Sequence, residues 1–132
     1  MTALDTNILV RVLTDDASAQ VEAARALLAS DDTFVVPVTV VLETGWVLEA
    51  IYEIEPPGVA DGLRRFLGLP NVEVERPKQM AQALQWYEDG LDLADAVHLA
   101  LSQAADQLAT FDRRFARDAE GRGRCRVIRI DP

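Results

Sequence analysis

The chain has very little sulfur or imidazole with which to do chemistry. It carries one cysteine, Cys125, and one histidine, His98, in 132 residues. A single cysteine excludes an intramolecular disulfide. One histidine with no cysteine beside it cannot make a zinc set. Long apolar runs are missing too. The longest uncharged one, Phe34 to Leu42, falls far short of the roughly 20 residues that span a bilayer. Met1-Thr2-Ala3-Leu4-Asp5 has neither a basic cluster nor a long apolar core, so no secretory signal is expected. A soluble, cytoplasmic protein with no membrane association is the expectation. No repeat, low-complexity segment or dividing linker is visible, and the length suits one domain over 1–132.

Acid is what the chain has in excess. The net charge is −9, which argues at first against a phosphate-rich partner. The distribution says more than the sum. Arg113, Arg114, Arg117, Arg122, Arg124, Arg126 and Arg129 are seven of the 13 basic residues, with only Asp118 and Glu120 opposing them nearby. That end is either a solvated surface or a patch facing phosphate or a partner. Apolar residues make up 49%, an ordinary globular share.

Strand and helix signals alternate along the chain. Thr2-Ala3-Leu4 is an apolar run that stops on Asp5, and a helix-like run follows from Ile8 to Leu13. An amphipathic helix is expected over Ser18–Ser30, with Val21, Ala24, Leu27 and Leu28 as its stripe. Thr33–Val36 reads as a buried strand closed by Pro37. Thr39 is a candidate cap for a helix over Val40–Ile54. Val59–Leu67 is expected to be helical, Val72–Glu75 an edge strand, and Pro77–Glu88 a helix with Met80, Ala83, Leu84 and Tyr87 inward. After an Asp89-Gly90 turn, Leu93–Ala105 is the most apolar helix. A strand over Gln107–Phe111, a polar helical turn to Arg117 and a strand over Arg126–Ile130 complete the chain. This alternation predicts a parallel sheet covered by helices on both faces.

Four acids fall at telling places in that order. Asp5 and Asp112 each follow a strand, at the carboxyl edge where parallel sheets bind ligands. Glu43 falls on the expected inward stripe of its helix, with Val40, Val47, Ala50 and Ile54. Asp95 and His98 are the only polar side chains in an apolar helix, where His98 is expected as a core or supporting group and not a ligand. Each acid has a structural explanation by itself. Asp5 and Asp112 suit helix caps, Glu43 the positive end of a helix dipole, and Asp95 a capping box with Asp92. Jointly, they are predicted to converge on one sheet edge. Converging carboxylates repel unless a cation is present. An all-oxygen set suits a hard cation such as Mg²⁺ or Mn²⁺, which binds phosphate oxygens and acidifies water.

Leu4-Asp5-Thr6-Asn7, Leu42-Glu43-Thr44-Gly45-Trp46-Val47-Leu48, Leu93-Ala94-Asp95-Ala96-Val97-His98-Leu99-Ala100 and Ala109-Thr110-Phe111-Asp112 together resemble the PIN-domain proteins. The similarity is strongest to the VapC toxins of bacterial toxin–antitoxin pairs. No single motif is specific; the ordered set is. The resemblance implies a three-layer α/β/α fold with a central parallel sheet in the order 3-2-1-4-5. It implies a Mg²⁺- or Mn²⁺-dependent endoribonuclease whose metal is held by Asp5, Glu43, Asp95 and Asp112. Thr6, Thr110, Asn7 and Asp92 match supporting positions. It also implies a VapB-like antitoxin partner and a homodimer. Arg113 and Arg114 are candidates for RNA contact.

Three rivals stand beside this reading. A phosphatase of the haloacid dehalogenase type wants a second acid two residues after its first, and that place holds Asn7. A receiver-type regulatory domain wants paired acids at one strand end and a lysine there, which are not found. The third is a PIN-like module without activity that binds RNA or an antitoxin, against which the four intact acids argue.

Overall fold

The computed structural model describes residues 1–132, which divide into two compact units, Met1–Pro77 and Lys78–Pro132. Unit 1 runs β1 (Thr2–Ala3), α1 (Thr6–Thr14), α2 (Ala19–Leu28), β2 (Phe34–Val36), α3 (Val38–Ala50), α4 (Pro56–Leu67) and β3 (Val72–Val74). Unit 2 runs α5 (Pro77–Glu88, beginning at the boundary residue), α6 (Leu93–Leu101), β4 (Gln107–Thr110), α7 (Arg113–Asp118) and β5 (Arg126–Arg129).

In unit 1 the strands form a parallel ladder in the order β1-β2-β3, with Thr2 opposite Phe34 and Phe34 opposite Val72. Leu4 extends β1 by donating its N–H to the Val35 carbonyl at 3.0 Å. The ladder is a core element because Phe34 and Val36 are fully buried while Val35 is only half-covered, the period-2 signature of a strand. Leu9 of α1, Val41 and Leu48 of α3 and Leu63 of α4 add fully or almost fully buried faces. Burial of side chains this size stabilises by about 1.5–3 kcal/mol each. In unit 2, β4 and β5 pair in parallel from Gln107–Arg126 to Thr110–Arg129. The expected order 3-2-1-4-5 is thus met within each unit, and the step from strand 1 to strand 4 belongs to neither ladder.

Several boundaries moved, for physical reasons. Helix α3 starts at Val38, and Thr39 is inside it. Its first orphan N–H, on Val38, donates 3.0 Å to the Glu75 carboxylate beyond β3, so the cap comes from tertiary structure. The same helix ends at Ala50 and not at Ile54, because Glu53 turns left-handed (φ 56°) and Ile54 N–H bonds back to the Leu48 carbonyl. Helix α6 stops at Leu101, short of Ala105. There the Ser102 hydroxyl donates to the His98 carbonyl and the Gln103 amide to the Leu99 carbonyl, satisfying two terminal acceptors. On α2, Val21 and Ala24 are buried, but Leu27 is exposed. Phe111 lies beyond the end of β4, 71% exposed. No helix is long and apolar enough to cross a membrane.

Candidate active site

Unit 1 contributes Asp5, Thr6, Asn7 and Glu43. Chain direction reverses immediately after β1, and Asp5 makes the turn as N-cap of α1, its Oδ1 accepting the Thr6 N–H at 2.8 Å. The carboxylate itself stays exposed. Buried Thr6 donates its hydroxyl to Glu43 Oε1, so the first turn of α1 holds both acids, one through the backbone and one through a side chain. Helices α1 and α3 pack on each other, which brings this hydroxyl within reach.

Glu43 requires a correction. The buried face of α3 is Val40, Val41, Thr44, Gly45 and Leu48, so the expected inward stripe through Val47, Ala50 and Ile54 is wrong. Glu43 is exposed on the flank of that face. With α3 beginning at Val38, it also lies beyond the first turn, so the dipole does not explain it. What explains its position is the Thr6 hydroxyl. Thr44, next to it, is completely buried and its Oγ1 has no partner.

Asp5, Thr6, Asn7, Val10, Arg11, Glu43, Val47, Ile51 and Tyr52 line an open hollow of about 350 Å³ on unit 1. Arg11, Ile51 and Tyr52 were missed from the sequence as site residues. The signal for Arg11 was present, since it lies one helical turn from Asn7.

Unit 2 contributes Asp92, Asp95, Thr110, Asp112, Arg113 and Arg114. Asp92 caps α6 by accepting the Asp95 N–H at 3.1 Å, the expected capping geometry. Asp112 caps α7 by accepting the Phe115 N–H at 3.1 Å, and its own N–H donates to the Thr110 hydroxyl at 3.0 Å. Half-buried Asp95 has its carboxyl pushed above the usual range, first by burial, then by the negative charges of Asp92 and Asp112. His98 and Arg114 offset part of this. His98 is exposed, which removes the core alternative of the expectation and leaves the supporting one, since its charge acts on Asp95.

The arginine-rich end is more neutralised than the sequence suggested. Arg114 and Arg117 pair with Asp118, Arg122 with Asp89, Arg124 with Asp106 and Arg129 with Asp131. Arg113 and Arg126 are left without an ion pair.

No group of three or more Asp, Glu, His or Cys side chains stands arranged to hold a metal ion. The donors present still suit a hard cation. Mg²⁺ is usually held by one or two carboxylates and keeps several waters for the substrate to replace. Asp5 and Glu43 in unit 1, and Asp95 among its acidic neighbours in unit 2, are oxygen donors of that kind.

The family profile described as PIN domain matches residues 2–120. The chain belongs to the PIN domain family. No curated protein gives a significant match. PIN domains are three-layer α/β/α folds and generally nucleases, which sets a nuclease-type function and a nucleic acid as the ligand class. The match runs through both units and includes all the candidate acids of this PIN domain.

Proposed function

We propose that the protein is a metal-dependent endoribonuclease, the VapC-type toxin of a toxin–antitoxin pair. The two units are read as parts of one PIN domain over 1–132. Asp5 and Asp112 each lie two residues beyond the end of a parallel strand, in a chain whose family match covers both. That placement carries the reading. Further support comes from Asp95, whose half-buried carboxyl faces the negative charges of Asp92 and Asp112.

Asp5, Glu43, Asp95 and Asp112 are the residues that would hold Mg²⁺ or Mn²⁺. Bound there, the ion supplies charge neutralisation at the scissile phosphate and a lowered pKa for water. The chain's own part is to orient and restrain. Thr6 orients Glu43 with its hydroxyl and Asp5 with its N–H. Thr110 and Asp92 fix the backbones that carry Asp112 and Asp95. Asn7 lies at the exposed rim beside Asp5. Arg113, unpaired at the start of α7, and Arg114 are offered to RNA phosphate. In-line attack by water leaves a 5′-phosphate and a 3′-hydroxyl.

The partners that accompany this reading are an RNA substrate, a VapB-like antitoxin and a second copy of the chain, all in the cytoplasm. A basic antitoxin segment, above all an arginine, would neutralise the acids by lying over them.

The test is RNA end-mapping after induction, with Asp5→Asn as control, alongside purified protein with Mn²⁺ or with chelator. New 5′-phosphate ends that need both Asp5 and metal are expected. A fully active Asp5→Asn protein overturns the metal assignment. Toxicity that persists when the neighbouring gene is co-expressed overturns the toxin–antitoxin reading. A module that neither cleaves RNA nor shows a specific Mn²⁺ heat of binding by calorimetry is the inactive PIN-like alternative.

A further inference from the structure

Unit 2 carries its acids on two separate pieces of chain. Asp92 and Asp95 begin α6, and Asp112 begins α7. A divalent ion tolerates little error between its ligands, since Mg²⁺ demands near-ideal octahedral geometry at about 2.0–2.1 Å. One piece must therefore be set against the other. Helix α7 is poorly able to hold its own place. It has six residues, far below the roughly 12–15 at which a helix stands alone in water. Phe115 is its one buried side chain.

Arg122 joins the two pieces. Its Nε donates to the Asp118 carbonyl at 2.9 Å, at the carboxyl end of α7, where orphan carbonyls favour a cation. Its Nη1 lies 3.4 Å from Asp89 Oδ2, in the turn that leads from α5 to Asp92 and α6. The Arg122 side chain is 26% exposed, against 79%, 68% and 66% for Arg114, Arg117 and Arg124. Arg114 and Arg117 pair with the Asp118 carboxylate and so tie α7 to itself, not to α6.

The loop that presents Arg122 is anchored as well. Gly121 (φ 77°) and Gly123 (φ 73°) turn left-handed on either side of it, a conformation that side chains disfavour. Just beyond, the Gln103 side chain at the end of α6 accepts the N–H groups of Arg124 at 2.7 Å and Cys125 at 3.2 Å. The loop is thus fastened to α6 before Arg122 reaches Asp89 and α7. A guanidinium suits that task because it presents donors on separate edges of one rigid plane.

We propose that Arg122 is a positioning residue that sets the distance between the acids of α6 and Asp112, by tying the turn before α6 to the end of α7. The inference rests on the metal-dependent reading and names what holds that geometry in unit 2. Helix α7 is about 9 Å long, so a tilt at its Asp118 end is carried to its Asp112 end. Without the arginine, the Asp118 carbonyl loses a donor and Asp89 loses its counterion.

The experiment is calorimetric titration of the metal-free full chain with Mn²⁺, with thermal melts of the same samples. Arg122→Gln should raise the Mn²⁺ Kd on the order of tenfold, the effect of losing an outer partner of metal ligands. Asp89→Ala should raise it too, and the double variant should bind no more weakly than Arg122→Gln alone, because both remove one contact. Val21→Ala, a buried change in unit 1, should melt lower yet keep the wild-type Kd, which separates positioning from stability. RNA cleavage by Arg122→Gln should recover at saturating Mn²⁺.

A wild-type chain that binds Mn²⁺ while Arg122→Gln binds it equally well overturns this inference alone and leaves Arg122 a support of the fold. Full additivity in the double variant also overturns it, as does cleavage that stays slow at saturating Mn²⁺. If Arg122→Gln does not fold, Asp89→Ala decides, since it leaves Arg122 on α7; a wild-type Kd there overturns the inference. A wild-type chain with no specific Mn²⁺ heat overturns the metal reading and this inference together.

Discussion

In unit 1, Asp5 and Glu43 are both tied to Thr6, one by its N–H and the other by its hydroxyl. In unit 2, the polar contacts at Asp92 and Asp112 are helix caps, and Asp95 faces their charges. The first pair of acids is positioned by donors; the second group is crowded by its own kind. Donors fix where a carboxylate points, and like charges raise the cost of ionising it. A cation would therefore do different things in the two places. It would be guided by the first set and would relieve the second.

Four experiments break or sharpen this contrast. The largest effect is expected on cleavage. Asp5→Asn and Asp95→Asn should each lower it by roughly a thousandfold, the several kcal/mol that a divalent ion contributes. If only the unit 1 variant loses activity in rate assays, the two groups do not serve one site.

The next compares two threonines. Thr6→Val removes the donor that orients Glu43 and should slow cleavage by roughly 10–100-fold, as expected for loss of a ligand-orienting group. It should also cost about 1 kcal/mol in a urea melt. Thr44→Val removes a fully buried hydroxyl with no partner and should stabilise by about 1 kcal/mol while sparing activity. Reversed signs would mean that Thr44, and not Thr6, supports the site.

A smaller effect concerns Asp95 alone. Its ionised form is disfavoured in the fold, so at neutral pH its charge subtracts from stability. Asp95→Asn should raise the melting temperature in chelator, with the gain read by calorimetry. Asp5→Asn keeps a side-chain oxygen to accept the Thr6 N–H and should leave it unchanged.

The smallest effect is a pH dependence at the amino end of β1. Asp32 accepts the Thr2 hydroxyl and pairs with the N-terminal amine at 2.9 Å, and these partners hold its carboxyl at about 2 against an ordinary 3.8. A carboxylate lowered in the fold adds stability above its unfolded value, and that stability is lost as pH falls through the folded one. Asp32→Asn should therefore melt slightly lower than wild type at pH 6. The difference should shrink between pH 4 and pH 2 in calorimetric scans. A constant difference across that range would assign the effect to packing.

Much of this was legible in the sequence wherever the determinant is local. Asp5, Asp92 and Asp112 announce caps within a few residues of the N–H groups they satisfy, and all three do so here. Strand positions and the parallel ladders followed from the alternation of elements. The Glu43 expectation failed because the stripe was laid along the wrong side of α3. Val40, Val41, Val47 and Leu48 spread apolar side chains around the helix, and the buried side runs through Val41, Thr44, Gly45 and Leu48. The core alternative for His98 failed because apolar neighbours on one helix do not reveal which side is left open.

The sequence by itself determined the acids, their order and the local turns that carry them, since capping and strand–turn–helix reversals depend on neighbours a few residues apart. Tertiary structure decided that Glu75 caps α3 across 37 positions, that Asn71 closes the end of α2 at the Leu28 carbonyl, and that Thr6 holds Glu43. It also decided that Tyr52 and Arg11 line the hollow beside Asp5. Those contacts join residues far apart in the chain. They form only once packing has oriented the helices, and no local pattern encodes that orientation.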